Sequence, residues 1–238
     1  RVAICTKFGH SPDGPADFSA AAVRPALERS LRSLQTDYVD VYLLHNPPIE
    51  VMDGTLDGAA VYDELERLKT EGKLRAYGVS LDWRRELDLV IETTRCQAVE
   101  VLFNAFHQDP LASFRKAKER GIGFIAKVPL DSGWLSGKYR AGSKFEGIRD
   151  RWSPEVIARR AALIEQFAAL LPPGVSIRDA ALQYILAQPE ISTVIPGAKS
   201  VEQARDNFAA ASGALNAETV HAVKTLWERE LKADPLPW

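Results

Sequence analysis

Two residues stand where a lysine and a histidine could act on one polar substrate atom. Lys7 closes the run Val2-Ala3-Ile4-Cys5-Thr6, and His45 closes the run Tyr38-Val39-Asp40-Val41-Tyr42-Leu43-Leu44. A lysine ammonium beside an acidic hydroxyl favours the charged form of that hydroxyl and so lowers its pKa. A histidine can orient a carbonyl oxygen by hydrogen bonding to it. Taken singly, Lys7 also reads as a solvated lysine after a strand and His45 as a histidine capping a loop. Their matching positions at the ends of two β-like runs make the pair a candidate polar site. The other β-like runs end in Ser80-Leu81-Asp82, Phe103-Asn104, Lys127-Val128-Pro129-Leu130 and Pro196-Gly197-Ala198-Lys199-Ser200.

Two segments have the makings of a phosphate site. In Gly133-Trp134-Leu135-Ser136-Gly137-Lys138 three residues separate the glycines where a P-loop needs four, and Tyr139 stands where a magnesium-binding Ser or Thr belongs. The segment therefore reads either as a surface loop or as a loop whose glycines and Lys138 approach a diphosphate. In Ile195-Pro196-Gly197-Ala198-Lys199-Ser200-Val201-Glu202-Gln203 a strand enters a glycine turn, and Lys199 and Ser200 open a helix. Backbone N–H groups and the helix dipole favour an anion at such a place. The plain alternative is a helix with Ser200 as its N-cap.

Several chemistries find no support. His10, His107 and His221 lack partners at metal-ligand spacing, so no metal site is expected. There is no Gly-x-Ser-x-Gly elbow of a serine hydrolase. Clusters such as Glu64, Glu66, Arg67 and Lys69 read as solvated helix faces.

These residues need a scaffold that brings strand ends together. The chain alternates short hydrophobic strands with amphipathic helices. Helices are expected over 20–34, 59–71, 83–93, 110–120, 154–171, 177–187, 201–211 and 217–232. Strands are expected over 2–6, 38–44, 76–81, 98–103, 122–128 and 192–195, and a long loop over 129–153. Nearly continuous hydrophobic strands between helices imply a parallel sheet covered by helices. With no G-x-G-x-x-G after any strand, a (β/α)8 TIM barrel is preferred to a doubly wound sheet, and its C-terminal strand ends would gather the candidates at one mouth. Six strand–helix units are counted in the sequence, where a closed barrel has about eight. The chain opens with Arg1 and its one methionine is Met52, so an N-terminal part, the first two strand–helix units, is expected to be missing. Residues 1–238 read as a single domain.

The 238 residues carry 30 Lys+Arg against 32 Asp+Glu, which leaves no basic field for nucleic acid. No apolar run approaches the ~20 residues of a membrane span, and no secretory signal opens the chain. Two cysteines, Cys5 and Cys96, give no disulfide framework, so a cytoplasmic location is the default. The tail Asp234-Pro235-Leu236-Pro237-Trp238 reads as packed surface, with a position over the mouth as the alternative.

An ordered set of segments resembles the aldo-keto reductase family. It comprises Thr6-Lys7-Phe8-Gly9, residues 31–40, Leu43-Leu44-His45, residues 68–75, Tyr77-Gly78-Val79-Ser80, Pro129-Leu130 with residues 133–139, and residues 195–200. The resemblance implies a (β/α)8 barrel that reduces small aldehydes and ketones with NADPH and without a metal. It carries Lys7 and His45 to the catalytic lysine and histidine, and Ser80 to the nicotinamide carboxamide contact. It carries Pro129, Leu130, Gly133, Leu135, Gly137 and Lys138 to the loop over the pyrophosphate. It carries Gly197, Lys199, Gln203 and Asn207 to the adenosine end, with Lys199 suggesting a 2′-phosphate. The family's acid–base tyrosine and its partner aspartate fall upstream of Arg1, and nothing in the sequence places Tyr42 or Tyr139 beside Lys7. Leu81 replaces a usual Asn, Glu100 a usual Gln, and Lys127 a frequent aromatic. The alternatives to a reductase are a silent NADPH-binding subunit and a truncated remnant. Substrate identity and oligomeric state are not legible.

Overall fold

The computed structural model describes residues 2–10, 14–53, 58–147 and 150–237. Arg1, Trp238 and Ile148-Arg149 of the expected long loop lie outside the described residues. The elements run β1 (Cys5–Phe8), α1 (Ala20–Leu34), β2 (Val39–His45), α2 (Ile49–Met52), α3 (Gly58–Thr70), β3 (Leu74–Leu81), α4 (Arg84–Thr93), β4 (Ala98–Leu102), α5 (Phe114–Glu119), β5 (Gly123–Lys127), α6 (Pro154–Ala169), α7 (Ile177–Leu186), β6 (Ile191–Val194), α8 (Val201–Ala210) and α9 (Ala217–Glu230). The strands form one six-stranded sheet in the order β1-β2-β3-β4-β5-β6. The first four pair in parallel. This is the α/β class expected from alternating strands and helices.

Three details differ from the periodicity. The helix expected over 110–120 begins as a 3-10 turn, Asp109–Ser113, and becomes α5 only at Phe114. The short α2 follows Pro47-Pro48, too brief to show a period. Residues 131–136 of the expected loop form a 3-10 stretch interrupted by left-handed backbone.

The chain divides into two compact units: residues 1–101 with 110–125, and residues 102–109 with 126–238. In the first unit the strand register sorts side chains by face. Lys7 pairs with Leu43, and Leu43 with Gly78. One step on, His45 pairs with Ser80 and Ser80 with Glu100. Residues two apart on a strand share a face, so Lys7, His45, Ser80 and Glu100 all lie on one side. Gly78 belongs to this column for a steric reason: a Cβ there would meet the Ala98 carbonyl oxygen at 1.7 Å. On the opposite face Tyr42, Leu44, Tyr77, Val79, Leu81, Val99 and Val101 are fully buried. They pack with the apolar stripes of the helices, Val23 and Leu27 of α1, Val61, Leu65 and Leu68 of α3, Leu87 and Val90 of α4.

The second unit packs α6, α7 and α9 around Phe103, Phe106, Phe167, Tyr184, Ile185 and Val223. Two of its buried polar side chains are paired across the core: the Tyr184 hydroxyl donates to Gln108 Oε1 at 2.6 Å, and Asn104 Nδ2 donates to the Val128 carbonyl at 2.9 Å.

Candidate active site

The first unit places a polar cluster at the ends of β1–β4. Lys7 Nζ lies 2.7 Å from Glu100 Oε2, an ion pair between β1 and β4. In a flat sheet those strands would be about 14 Å apart, three spacings of ~4.8 Å. The contact therefore requires the four strands to curl with the polar face concave. Glu100 is buried, 3% exposed. Its other oxygen accepts from Ser80 Oγ at 3.0 Å. Asn46 Oδ1, 3.3 Å from the same hydroxyl, competes for its proton, while Asn46 Nδ2 donates to Asp82 Oδ2 at 3.2 Å. Asn46 holds a left-handed backbone, φ 50°, and its N–H donates to the Ser80 carbonyl at 2.9 Å, which locks the turn after β2 onto the end of β3. Glu86 closes the turn after β3: its Oε2 accepts from the N–H groups of Asp82 and Trp83, both at 2.9 Å.

His45 is half-buried at the end of β2, with the His10 ring edge-on at 5.1 Å between centroids. Tyr42 does not share this cluster. Its hydroxyl points at α1 and donates to the Val23 carbonyl at 3.5 Å, and burial raises its pKa. Cys5, two residues before Lys7, shares the polar face. Its residue has open surface, but desolvation of the thiol pushes it up to about 11, with Lys7 lowering it and Glu100 raising it.

Lys7 and His45, each half-buried, can present an ammonium and an imidazole to a small polar group, while Ser80 and Glu100 are buried and bonded to each other beneath them. An ammonium and an N–H donor stabilise negative charge developing on an oxygen. A carboxylate accepts from an amide NH2, and a hydroxyl both donates and accepts.

The second unit holds a cleft of about 590 Å³, within the size range of small-molecule sites. Pro129, Leu130, Gly133, Lys138, Gly197, Lys199, Gln203 and Asn207 line it. Of the residues expected in this region, two stand apart from the lining. Leu135 is fully buried, and a Cβ at Gly137 would come within 3.5 Å of Ile177. Seven lining residues were not among the predicted site residues: Val128, Ser132, Ser136, Tyr139, Arg178, Ile195 and Ala198. Arg178 opens α7, where its one signal is a cation in the first turn after the Ser176 N-cap. It pairs with Asp206 at 2.7 Å and Asp179 at 2.9 Å.

The plain reading of the Gly197–Gln203 segment, a helix N-capped by Ser200, is the one observed. Ser200 Oγ accepts from Gln203 N at 3.1 Å, and Gln203 Oε1 accepts from Lys199 N at 2.7 Å, a capped helix start. That start also borders the cleft. Lys138, Arg178 and Lys199 are among its lining residues, cations of the kind that bind phosphate groups, with Arg178 held by Asp206 and Asp179 and the Ser136 hydroxyl donating to the Gly133 carbonyl at 2.6 Å. The loop wall is built from uncommon backbone. Val128, Asp131 and Ser132 have φ of 52°, 47° and 54°, a region that costs a residue with a Cβ about 1–3 kcal/mol. Among the described residues no cluster of His, Cys, Asp and Glu could hold a metal, and no helix is long and apolar enough to cross a membrane.

A family model described as the aldo/keto reductase family matches residues 1–228. L-galactose dehydrogenase of Arabidopsis thaliana is 32% identical over 239 residues, covering 94% of this chain and 70% of that protein. The uncharacterized oxidoreductase YqkF of Bacillus subtilis is 29% identical over 242 residues, covering 98% and 72%. Among solved structures, the holo form of aldo-keto reductase AKR11C1 from Bacillus halodurans superposes with a TM-score of 0.78 at 25% identity, covering 94% of this chain and 72% of that one. Glycerol dehydrogenase AKR11B4 from Gluconobacter oxydans gives 0.76 at 23% identity, covering 99% and 74%, a likeness of fold.

Proposed function

Because the chain belongs to the aldo/keto reductase family of oxidoreductases, we propose that it reduces a small aldehyde or ketone to the alcohol with NADPH. The observation that carries this reading is the column of Lys7, His45, Ser80 and Glu100 on one face at the C-terminal ends of parallel strands. Reduced nicotinamide, when bound, supplies a hydride to the carbonyl carbon. His45 donates a hydrogen bond to the carbonyl oxygen and fixes its direction. The oxygen takes its proton from an acidic hydroxyl or from water, and the Lys7 ammonium stabilises the negative charge that grows on that oxygen or remains on the hydroxyl. Glu100 holds Lys7 at 2.7 Å, so the ammonium is aimed before substrate arrives. Ser80 takes the nicotinamide carboxamide contact that the resemblance implies, in exchange for its bond to Glu100.

The cleft of the second unit takes the phosphates. Lys138, Gly133, Pro129 and Leu130 face the pyrophosphate; Gly197, Gln203 and Asn207 face the adenosine end. Lys199 takes a 2′-phosphate, which favours NADPH over NADH.

The test is loss of NADPH absorbance with a panel of aldehydes and ketones, with NADH as the control. Carbonyl-dependent consumption of NADPH in preference to NADH is expected. Preference for NADH overturns the cofactor assignment. NADPH binding with no carbonyl consumed replaces the reductase by a silent cofactor-binding subunit.

A further inference from the structure

The loop wall of the second unit's cleft is held by residues far along the chain. Its left-handed backbone at Val128, Asp131 and Ser132 is unfavourable for side chains with a Cβ, so something must hold it. Local hydrogen bonds do part of this: Asp131 N donates to the Val128 carbonyl at 3.1 Å and Gly133 N to the Leu130 carbonyl at 2.8 Å. The remainder comes from α6. The Asp131 carboxylate accepts from Arg160 Nη1, and both side chains are 0% exposed. The same guanidinium donates through Nη2 to the Pro237 carbonyl at 2.9 Å. It also lies 4.8 Å from the ring of Trp152, which packs against Trp134 of the loop with centroids 6.2 Å apart. The preceding Arg159 holds the same C-terminal segment, 3.1 Å from Asp234 Oδ2 and 3.0 Å from the Glu230 carbonyl.

Two adjacent arginines of one helix thus grip residues 230–237, and one of them also grips the cleft loop. Asp131 does not line the cleft; its neighbours Leu130, Ser132 and Gly133 do. A buried ion pair is seldom more stabilising than apolar side chains of the same volume. What it adds here is direction, because the rigid guanidinium fork satisfies a carboxylate and a carbonyl at fixed angles.

We propose that Asp131 and Arg160 are positioning residues that hold the left-handed turn of the cleft loop, and that the shared guanidinium couples the C-terminal segment to phosphate binding in the cleft. The inference rests on the reading that NADPH phosphates bind there. Coupling of this kind is reciprocal: a ligand in the cleft tightens the C-terminal segment, and release of that segment weakens the ligand.

The experiment uses two variants beside the full chain. One is shortened after Lys232, which frees Arg160 from the Pro237 carbonyl and Arg159 from Asp234 and leaves the Arg159 contact with the Glu230 carbonyl in place. The other is Asp131→Leu with Arg160→Met, which removes the pair without leaving a buried charge. NADPH affinity is measured by fluorescence titration, amide hydrogen exchange is followed across residues 129–137, and carbonyl reduction is measured at saturating NADPH. The expected result is faster exchange in that loop and roughly tenfold weaker NADPH in both variants, with kcat within about twofold (1.4 kcal/mol per tenfold). Unchanged loop exchange with unchanged affinity in the shortened chain overturns the proposal, and the shortened chain decides alone if the double variant does not fold. Wild type that fails to bind NADPH removes the cofactor reading instead, while loop exchange still decides whether the pair positions the turn.

Discussion

The strand-end cluster of the first unit and the cleft of the second are built by different physics. The cluster is a product of register: parallel strands place His45, Ser80 and Glu100 side by side, with Lys7 one step behind on the same face. Its geometry is as rigid as the ladder beneath it, and each member can be placed by counting in twos along a strand. The cleft is a product of backbone that ordinary residues avoid, at Val128, Asp131 and Ser132. Its geometry depends on a buried pair to Arg160 and on the chain's far end. A site made by register should fail only when a member is changed. A site made by a held loop should also fail from a distance.

The sharpest way to separate the two is Lys7→Met. Removing a preorganised donor to a developing oxyanion costs about 10²–10³ in kcat, so steady-state kinetics should show a loss of that size with NADPH affinity little changed. A fall in affinity instead would place Lys7 among the cofactor-holding groups. Lys199→Ala should do the reverse. Losing one charged contact to a 2′-phosphate should raise the KM for NADPH roughly tenfold, about 1.4 kcal/mol, and leave that for NADH within about twofold. Equal effects on the two cofactors would remove the 2′-phosphate assignment.

Ser80→Ala should have a smaller effect. The Glu100 oxygen that accepts from Ser80 at 3.0 Å loses one hydrogen bond, worth about 1 kcal/mol, and activity should fall a few-fold. The smallest effect concerns the thiols. With its pKa raised to about 11, Cys5 is a neutral thiol near pH 7, and its iodoacetamide labelling should climb with pH toward that value. Cys96, buried and raised to about 12, should stay unlabelled until the protein unfolds. Rapid labelling of Cys5 at neutral pH would mean that Lys7 lowers the thiol more than desolvation raises it.

Much of the scaffold was legible in the sequence because its periods are clean. The spacing of Leu27, Leu31 and Leu34 predicts a helix over 20–34, and α1 spans those residues. Strand ends that gather Lys7, His45 and Ser80 follow from the alternation of strand and helix. The ion pair of Lys7 with Glu100 was not legible, because it depends on how strongly the first four strands curl. Nor was the 3-10 turn before α5, which shares a helix's apolar spacing. Arg160 was missed because an arginine in a helix reads as solvated, yet it sits on the buried stripe with Ile164 and Phe167. An arginine at i−4 and i−7 to buried apolar residues is a signal that sequence carries. Its partner Asp131 gives no such sign, since nothing local marks an aspartate as left-handed.

The most direct test of this division of labour is one NADPH fluorescence titration run side by side on wild type, Lys7→Met and Lys199→Ala. The account predicts that the cleft variant binds roughly tenfold more weakly while the cluster variant binds as wild type does. Equal weakening in both, or none in either, would contradict it.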